Sequence, residues 1–243
     1  TDYAVSLAKK YGTVVVSCDS RQIYREMRIG TAPPSPEQLA AVRHYFIFSH
    51  SVKQRYSAGQ YEIEAMQLLE KLFEKHDTII MAGGSGLYAD ALCYGLDDFP
   101  PADTELREIL TRRAMEEGVA ALAEELGKID PESYASIDLS NRQRVIRALE
   151  VTISTGRKFS SFKSAPRKKR PFAIKRTALS IPREELYSRI NSRVERMFEN
   201  GLAEEAESLL EYRNLPALNT VGYREVFSYL DGKISLDEAV ELV

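Results

Sequence analysis

Val14-Val15-Val16-Ser17-Cys18-Asp19-Ser20-Arg21-Gln22-Ile23-Tyr24 is the stretch that decides how this chain folds. Three β-branched residues in succession read as a short buried strand, and the run then breaks into a tip carrying a carboxylate, a hydroxyl, a guanidinium and an amide. In open α/β sheets ligands sit beyond the carboxyl ends of the strands, so this order puts Asp19, Ser20, Arg21 and Gln22 at the lip of a substrate crevice. An Asp-Ser pair also caps helices, and the residues alone leave both readings open.

Outward from this strand, Thr78 to Ala82 predicts a second buried strand that runs into Gly83-Gly84-Ser85-Gly86-Leu87-Tyr88 before another helix. Strand, glycine-rich turn and helix together bring backbone N–H groups and a helix N-terminus to an anion or a nucleotide. Two strand ends of one parallel sheet face the same crevice, which places Ser85 with Asp19. Tyr3, Ala4, Leu7 and Ala8 predict an opening helix that Gly12 ends. A second helix starts at Ser35 or Pro36, His44 to Phe48 predicts a short strand, and Ser57 or Gly59 opens a long amphipathic helix through Tyr61, Ala65, Leu69 and Leu72. A doubly wound domain normally opens on a strand, so the pattern predicts one ahead of Thr1, and the repeat begun at Leu236 predicts continuation past Val243.

The 243 residues allow one large domain or a domain with a smaller insertion. Apolar residues at 44% and charged residues at 28% match ordinary globular proteins. No apolar run has the length of a membrane span, which predicts a cytoplasmic protein without a membrane partner. Cys18 and Cys93 are too few for a disulfide framework, and with three scattered histidines they form no zinc-type cluster. A net charge of −3 argues against indiscriminate coating of nucleic acid. No long apolar patch asks for a second copy, so a monomer is expected.

Pro100-Pro101 marks a change of character, and the next stretch reads as helices interrupted at Gly118, Asp130-Pro131 and Gly156. This predicts a helical insertion over 101–167 between core segments 1–100 and 168–243. Within it, helical spacing puts Gln143, Arg144 and Arg147 near one face, with Val145, Ile146 and Leu149 turned inward. Such a row is usually a solvated face, but Arg157, Lys158, Lys163, Arg167, Lys168, Lys169 and Arg170 come soon after, and this concentration points to a polyanionic partner. Phe172 to Ile181 predicts a strand, and Pro182 then starts a helix on which Arg189 and Arg193 share a face. Their planar forks suit oxygen anions, and ion pairs with Glu185 or Glu195 are equally compatible with the spacing.

Asp19-Ser20-Arg21-Gln22-Ile23-Tyr24, Ile29-Gly30-Thr31-Ala32-Pro33, Tyr56-Ser57-Ala58-Gly59, Gly83-Gly84-Ser85-Gly86-Leu87-Tyr88, Gln143-Arg144-Val145-Ile146-Arg147-Ala148-Leu149-Glu150, Arg189-Ile190-Asn191-Ser192-Arg193-Val194 and Thr220-Val221-Gly222-Tyr223-Arg224-Glu225 occur in an order that resembles the bacterial tRNA dimethylallyltransferases. The resemblance spans essentially the whole chain. It implies an α/β core of the P-loop, nucleotide-binding (ATP-binding) type with a helical insertion domain, gripping a tRNA anticodon stem-loop. The implied reaction moves a dimethylallyl group from dimethylallyl diphosphate to N6 of adenosine 37. Thr1 resembles the last residue of the family's Gly-x-x-x-x-Gly-Lys-Thr/Ser loop, the rest of which would lie ahead of it.

From that resemblance Asp19 is expected as general base, with Thr1 and Arg193 as further catalytic residues. Thr1, Arg193 and Arg189 are expected on the diphosphate, and Thr1 on Mg²⁺. Asp19, Ser20, Arg21, Gln22 and Ser85 resemble residues that hold the flipped adenine and its neighbours, and Arg107 with Gln143-Arg144-Val145-Ile146-Arg147 resembles the positions that grip the stem-loop. Two other readings share the core: a P-loop kinase of a small metabolite, which would need neither the basic insertion nor the Asp-Ser-x-Gln tip, and an RNA-binding fragment lacking the diphosphate cradle.

Overall fold

The computed structural model describes residues 1–163 and 168–243. Arg167 of the basic run lies outside the described residues. In chain order the elements are α1 (Asp2–Tyr11), β1 (Val15–Ser17), α2 (Pro36–Ala41), β2 (His44–Tyr45), α3 (Ala58–Phe73), β3 (Ile80–Ala82), α4 (Gly86–Tyr94), α5 (Thr104–Glu116), α6 (Val119–Ile129), α7 (Pro131–Ser136), α8 (Arg142–Thr155), α9 (Arg183–Glu199), α10 (Leu202–Ser208), α11 (Tyr223–Leu230) and α12 (Leu236–Leu242). They form two compact units, Thr1–Tyr94 with Arg170–Val243, and Gly95–Lys169.

In the first unit β1 is the central strand of a parallel sheet ordered β2-β1-β3, with Val16 opposite both Tyr45 and Met81. The two-residue period of a strand splits its side chains between two layers. Val15 packs with Ala4, Val5 and Ala8 of α1. Val14, Val16 and Cys18 pack on the other face with Tyr61, Ala65 and Leu69 of α3 and with Tyr88 and Leu92 of α4. Helices on both faces of a parallel sheet give the expected α/β layering. A further core joins Ile23, Tyr24 and Met27, just past the Asp19 tip, to Leu202, Ala206, Leu218, Tyr223, Val226 and Phe227. The first and last thirds of the chain therefore meet directly behind that tip.

Three strand expectations are corrected. The strand at His44 to Phe48 stops at Tyr45, because Phe46 and Phe48 take left-handed φ values of 61° and 52°. The chain leaves the ladder there and tracks the segment after β1 instead: Phe48 N–H donates to the Gln22 carbonyl and His50 N–H to that of Ile23, each at 2.9 Å. The strand at Thr78 to Ala82 is confined to Ile80–Ala82 and is half-buried rather than buried. Phe172 to Ile181 forms no strand. Side chains hold it in place of a backbone ladder, with Phe172 stacked on Phe73 at 5.5 Å and Arg176 paired to Asp90 at 3.3 Å.

The second unit is helical, and Leu110, Leu122, Leu126, Val145, Ile146, Ala148 and Leu149 form its core. Its limits at Gly95 and Lys169 lie a few residues outside the expected 101–167. Asp130 is fully buried at the α6–α7 junction. Its carboxylate accepts from Ser133 N–H and O–H at 3.2 and 2.5 Å and from Ser160 N–H and O–H at 2.9 and 2.8 Å. Burial pushes this carboxyl up, but the four hydrogen bonds together outweigh it and hold it below its ordinary value of 3.8.

A folded-state value below the unfolded one adds stability that is complete above the ordinary carboxyl range and is lost as pH falls through the lowered value. Asp130→Ala leaves the serine donors unpaired and is expected to cost roughly 1–3 kcal/mol per orphaned group. Urea unfolding at pH 7 and again near pH 3 tests this: the gap between variant and parent should narrow in acid, and a gap that widens would assign the stability elsewhere.

Candidate functional site

Asp19 sits at the carboxyl end of the central strand. Its Oδ1 accepts from the backbone N–H groups of Arg21 at 2.8 Å and Gln22 at 3.1 Å, a turn that fixes the carboxylate against its own backbone. Among the described residues Oδ2 has no hydrogen-bond partner. Oδ2 is directed at the glycine turn, where a Cβ on Gly84 would lie 3.5 Å from it. A Cβ on Gly83 would lie 2.6 Å from the Cys18 carbonyl carbon and 2.7 Å from the Asp19 nitrogen, so the two backbones approach as only glycine permits. Ser85 completes the junction. Its Oγ accepts from Ser20 N–H and donates to Ser20 Oγ, both at 2.9 Å.

The site floor is aromatic. Tyr61 and Tyr88 stack at 4.6 Å, Phe46 meets Tyr61 edge-on at 5.1 Å, and Tyr61 O–H donates to the Ser17 carbonyl at the end of β1. Burial, helped by the Asp19 charge, pushes the Cys18 thiol up to about 11, so it stays protonated and inert at neutral pH. Burial likewise pushes Tyr88 up to about 12. Tyr61 and Tyr88 had a sequence signal, an apolar-face position and a glycine-turn motif, but nothing there announced a stacked pair beneath the carboxylate.

The side chains of Arg21 and Gln22 are engaged by backbone carbonyls of other segments. Arg21 Nη1 donates to the carbonyls of Pro216 and Ala217 at 2.9 and 3.1 Å. Gln22 Nε2 donates to those of Thr31 and Ala32 at 3.2 and 2.9 Å. Both side chains therefore brace the strand tip against neighbouring loops. Thr1 starts α1, whose far end leads through Gly12 into β1, so this helix N-terminus lies at the sheet edge that carries Asp19. The Thr1 hydroxyl makes no capping bond to its own helix. Among the described residues no group of three or more Asp, Glu, His or Cys could hold a metal ion.

The late helix supplies no direct partner to this site. Arg189 is ion-paired to Glu185 at 2.5 Å, one of the two pairings its spacing allowed. Arg193 is exposed and, among the described residues, makes no hydrogen bond or ion pair. The structure thus joins Asp19, Ser20 and Ser85 and joins neither arginine to them.

In the second unit, Glu150 has no solvent exposure and holds two of the three expected stem-loop arginines. Arg107 Nε and Nη2 reach its Oε2 at 2.7 and 2.6 Å, Arg147 Nη1 reaches Oε1 at 2.6 Å, and Asp103 N–H also donates to Oε1. Two guanidiniums on one carboxylate leave a net positive charge with its geometry locked. Gln143 and Arg144 are exposed on the first turn of α8. Val145 and Ile146, turned inward as their spacing predicts, are 0% and 5% exposed and pack in the core of this unit. Arg170 leaves the basic patch too, because its guanidinium pairs with Glu62 at 2.7 Å and donates to the Ala91 and Leu92 carbonyls at the end of α4. Sequence reasoning gave Glu150 no role beyond closing the Gln143–Glu150 motif, although its i+3 spacing from Arg147 marked the pair.

The roles of these charges separate in denaturation. Glu150→Ala strips a buried carboxylate from two guanidiniums and is expected to cost about 3–5 kcal/mol, whereas Arg144→Ala should stay within about 0.5 kcal/mol. Equal effects in a urea titration would contradict the assignment of Glu150 as the organiser.

Comparison with known proteins supplies the context for this geometry. The family model described as IPP transferase matches residues 22–243. A tRNA dimethylallyltransferase 1 of Bacteroides thetaiotaomicron is 46% identical over the whole chain, which covers 79% of that relative, and a tRNA dimethylallyltransferase of Cytophaga hutchinsonii is 48% identical with 80% of its length covered. Among solved structures, the full-length tRNA isopentenylpyrophosphate transferase of Bacillus halodurans superposes with a TM-score of 0.68 at 34% identity, over 98% of this chain and 76% of that one. A eukaryotic dimethylallyltransferase acting on tRNA shares the fold, with a TM-score of 0.73 at 23% identity over 99% of this chain and 62% of that one.

Proposed function

The chain belongs to the IPP transferase family, and on that premise we propose that it is a tRNA dimethylallyltransferase in which Asp19 is the general base for alkylation of N6 of adenosine 37. The observation that carries this is the state of Asp19: one carboxylate oxygen held by two backbone N–H groups and the other, Oδ2, turned toward the glycine turn without a partner among the described residues.

The exocyclic amine is a poor nucleophile because its lone pair is delocalised into the purine. Asp19 Oδ2 accepts an amine proton as the nitrogen attacks the allylic carbon, the C–O bond to diphosphate breaks, and diphosphate departs with the bonding pair. A positioned base contributes about 10²- to 10⁴-fold. Charge developing on the leaving oxygens is met at the N-terminus of α1, where unpaired N–H groups and the helix dipole favour an anion. The Thr1 hydroxyl, free of any capping bond, fits a single oxygen ligand of Mg²⁺, an ion that commonly takes one or two protein oxygens beside substrate phosphates. Bound there, Mg²⁺ would neutralise leaving-group charge. The family resemblance puts Arg193 and Arg189 on the same diphosphate; among the described residues Arg193 has no partner, and Arg189 would exchange its exposed pair with Glu185 for that anion.

Ser20 and Ser85, the hydroxyl pair beside the carboxylate, hold the extruded adenine by its edge in this reading. On the second unit the anticodon stem-loop phosphates meet Arg144, Gln143 and the outer faces of Arg107 and Arg147. Among the described residues no helix is long and apolar enough to cross a membrane. The proposal is completed by a monomer acting on tRNA in the cytoplasm.

Two measurements test this. Asp19→Asn keeps the side chain's shape and one acceptor, so kcat should fall at least about a hundredfold while affinity for an anticodon stem-loop stays within about twofold; normal turnover would remove Asp19 from the role. Arg144→Ala should weaken stem-loop binding and make its salt dependence shallower by nearly one charge, since each neutralised single-strand phosphate contributes about 0.7 to the slope. An unchanged slope would make Arg144 a solvated residue only.

A further inference from the structure

Glu205, on α10, belongs to none of the family-like motifs, yet its carboxylate is among the most heavily bonded in the chain. It accepts the backbone N–H of Arg28 at 2.7 Å, of Ile29 at 2.9 Å and of Gly30 at 3.1 Å, and the phenol O–H of Tyr223 at 2.6 Å. Three successive amides converging on one carboxylate fix the conformation of the 28–30 turn. The turn is also clasped sterically, since a Cβ on Gly30 would lie 2.6 Å from the Tyr223 ring and 2.8 Å from Leu202. The next two residues, Thr31 and Ala32, present the carbonyls that hold the Gln22 side chain, and Ala32 does so from a left-handed φ of 45°. Gln22 in turn donates its own N–H to Asp19 Oδ1.

We propose that Glu205 is a positioning residue for Asp19, acting through the 28–32 loop and Gln22. The role of Asp19 as base rests on the proposed function; the mechanical coupling does not. Glu205 has no contact with the reacting groups among the described residues. It holds the loop whose carbonyls anchor the Gln22 side chain, and the backbone N–H of Gln22 orients the carboxylate, while Arg21, anchored separately on Pro216 and Ala217, keeps the tip from detaching altogether. Loss of Glu205 therefore misorients Asp19 without unfolding the sheet.

The test uses the whole chain with Glu205→Gln and, as the milder change, Tyr223→Phe, which removes one of the four donors. Residue-resolved amide exchange should quicken at least tenfold at residues 28–30 and, with them, at Arg21 and Gln22. In turnover, kcat should fall about tenfold with KM for the stem-loop within about twofold, and Glu205→Asp should restore part of it. Faster exchange at residues 28–30 with protection at Gln22 unchanged in both variants would overturn the coupling. So would a rise in KM at constant kcat. Normal turnover of Asp19→Asn would count against the base assignment alone, leaving the exchange result to stand or fall independently.

Discussion

The architecture of the site depends on one close approach of backbone to backbone, that of Gly83 against Cys18 and Asp19 at 2.6–2.7 Å from where a side chain would begin. Two neighbouring parallel strands end side by side, and the turns that leave them must share the same small volume. A glycine on one of them lets Ser85 reach Ser20 and leaves Asp19 Oδ2 facing the turn rather than buried beneath it. The turn around Asp19 Oδ1 then fixes the carboxylate's direction with two backbone donors and no help from solvent-exposed side chains. A carboxylate held this way needs little reorganisation to receive a ligand, which is the general advantage of a preorganised polar site.

Carboxylates do most of the organising elsewhere as well. Glu205 gathers the 28–30 amides, Asp130 gathers two serines, Glu62 holds Arg170, and Glu150 holds Arg107 and Arg147. Each is a buried or half-buried anion whose desolvation is offset by several donors, the condition under which such groups are tolerated at all. The consequence for function differs between units. In the first, Glu205 stiffens the loop that holds Gln22 beside the Asp19 tip. In the second, one anion holds two cations in a fixed orientation, which makes a basic surface with less side-chain freedom to lose when a polyanion binds.

The strand tip, the glycine turn and their common edge were legible because β-branched runs ending in polar or glycine-rich turns carry the parallel α/β pattern locally. The capping boxes of α2 and α3, at Ser35 with Gln38 and Ser57 with Gln60, were equally local. The failures share one cause. Phe46 and Phe48 look like strand residues, yet the ladder on offer was the backbone of residues 22–23, and taking it required left-handed turns. Phe172 to Ile181 has strand composition and found no edge to pair with. Val145 and Ile146, by contrast, pack in the core as their helical spacing predicts.

From the sequence alone came the order of elements, the α/β class, the helical insertion and the placing of Asp19 and Ser85 at one sheet edge, because spacing, capping and turn chemistry act between residues close along the chain. The tertiary structure alone decided what each charged side chain is for. Arg21, Gln22, Arg107, Arg147 and Arg170 all read as free ligand-binding groups, and all are engaged by carbonyls or carboxylates up to 196 positions away. Except for Arg147, whose partner Glu150 lies three positions on, such a side chain carries no local sign of its partner, since that partner is supplied by whichever distant segment the core brings alongside.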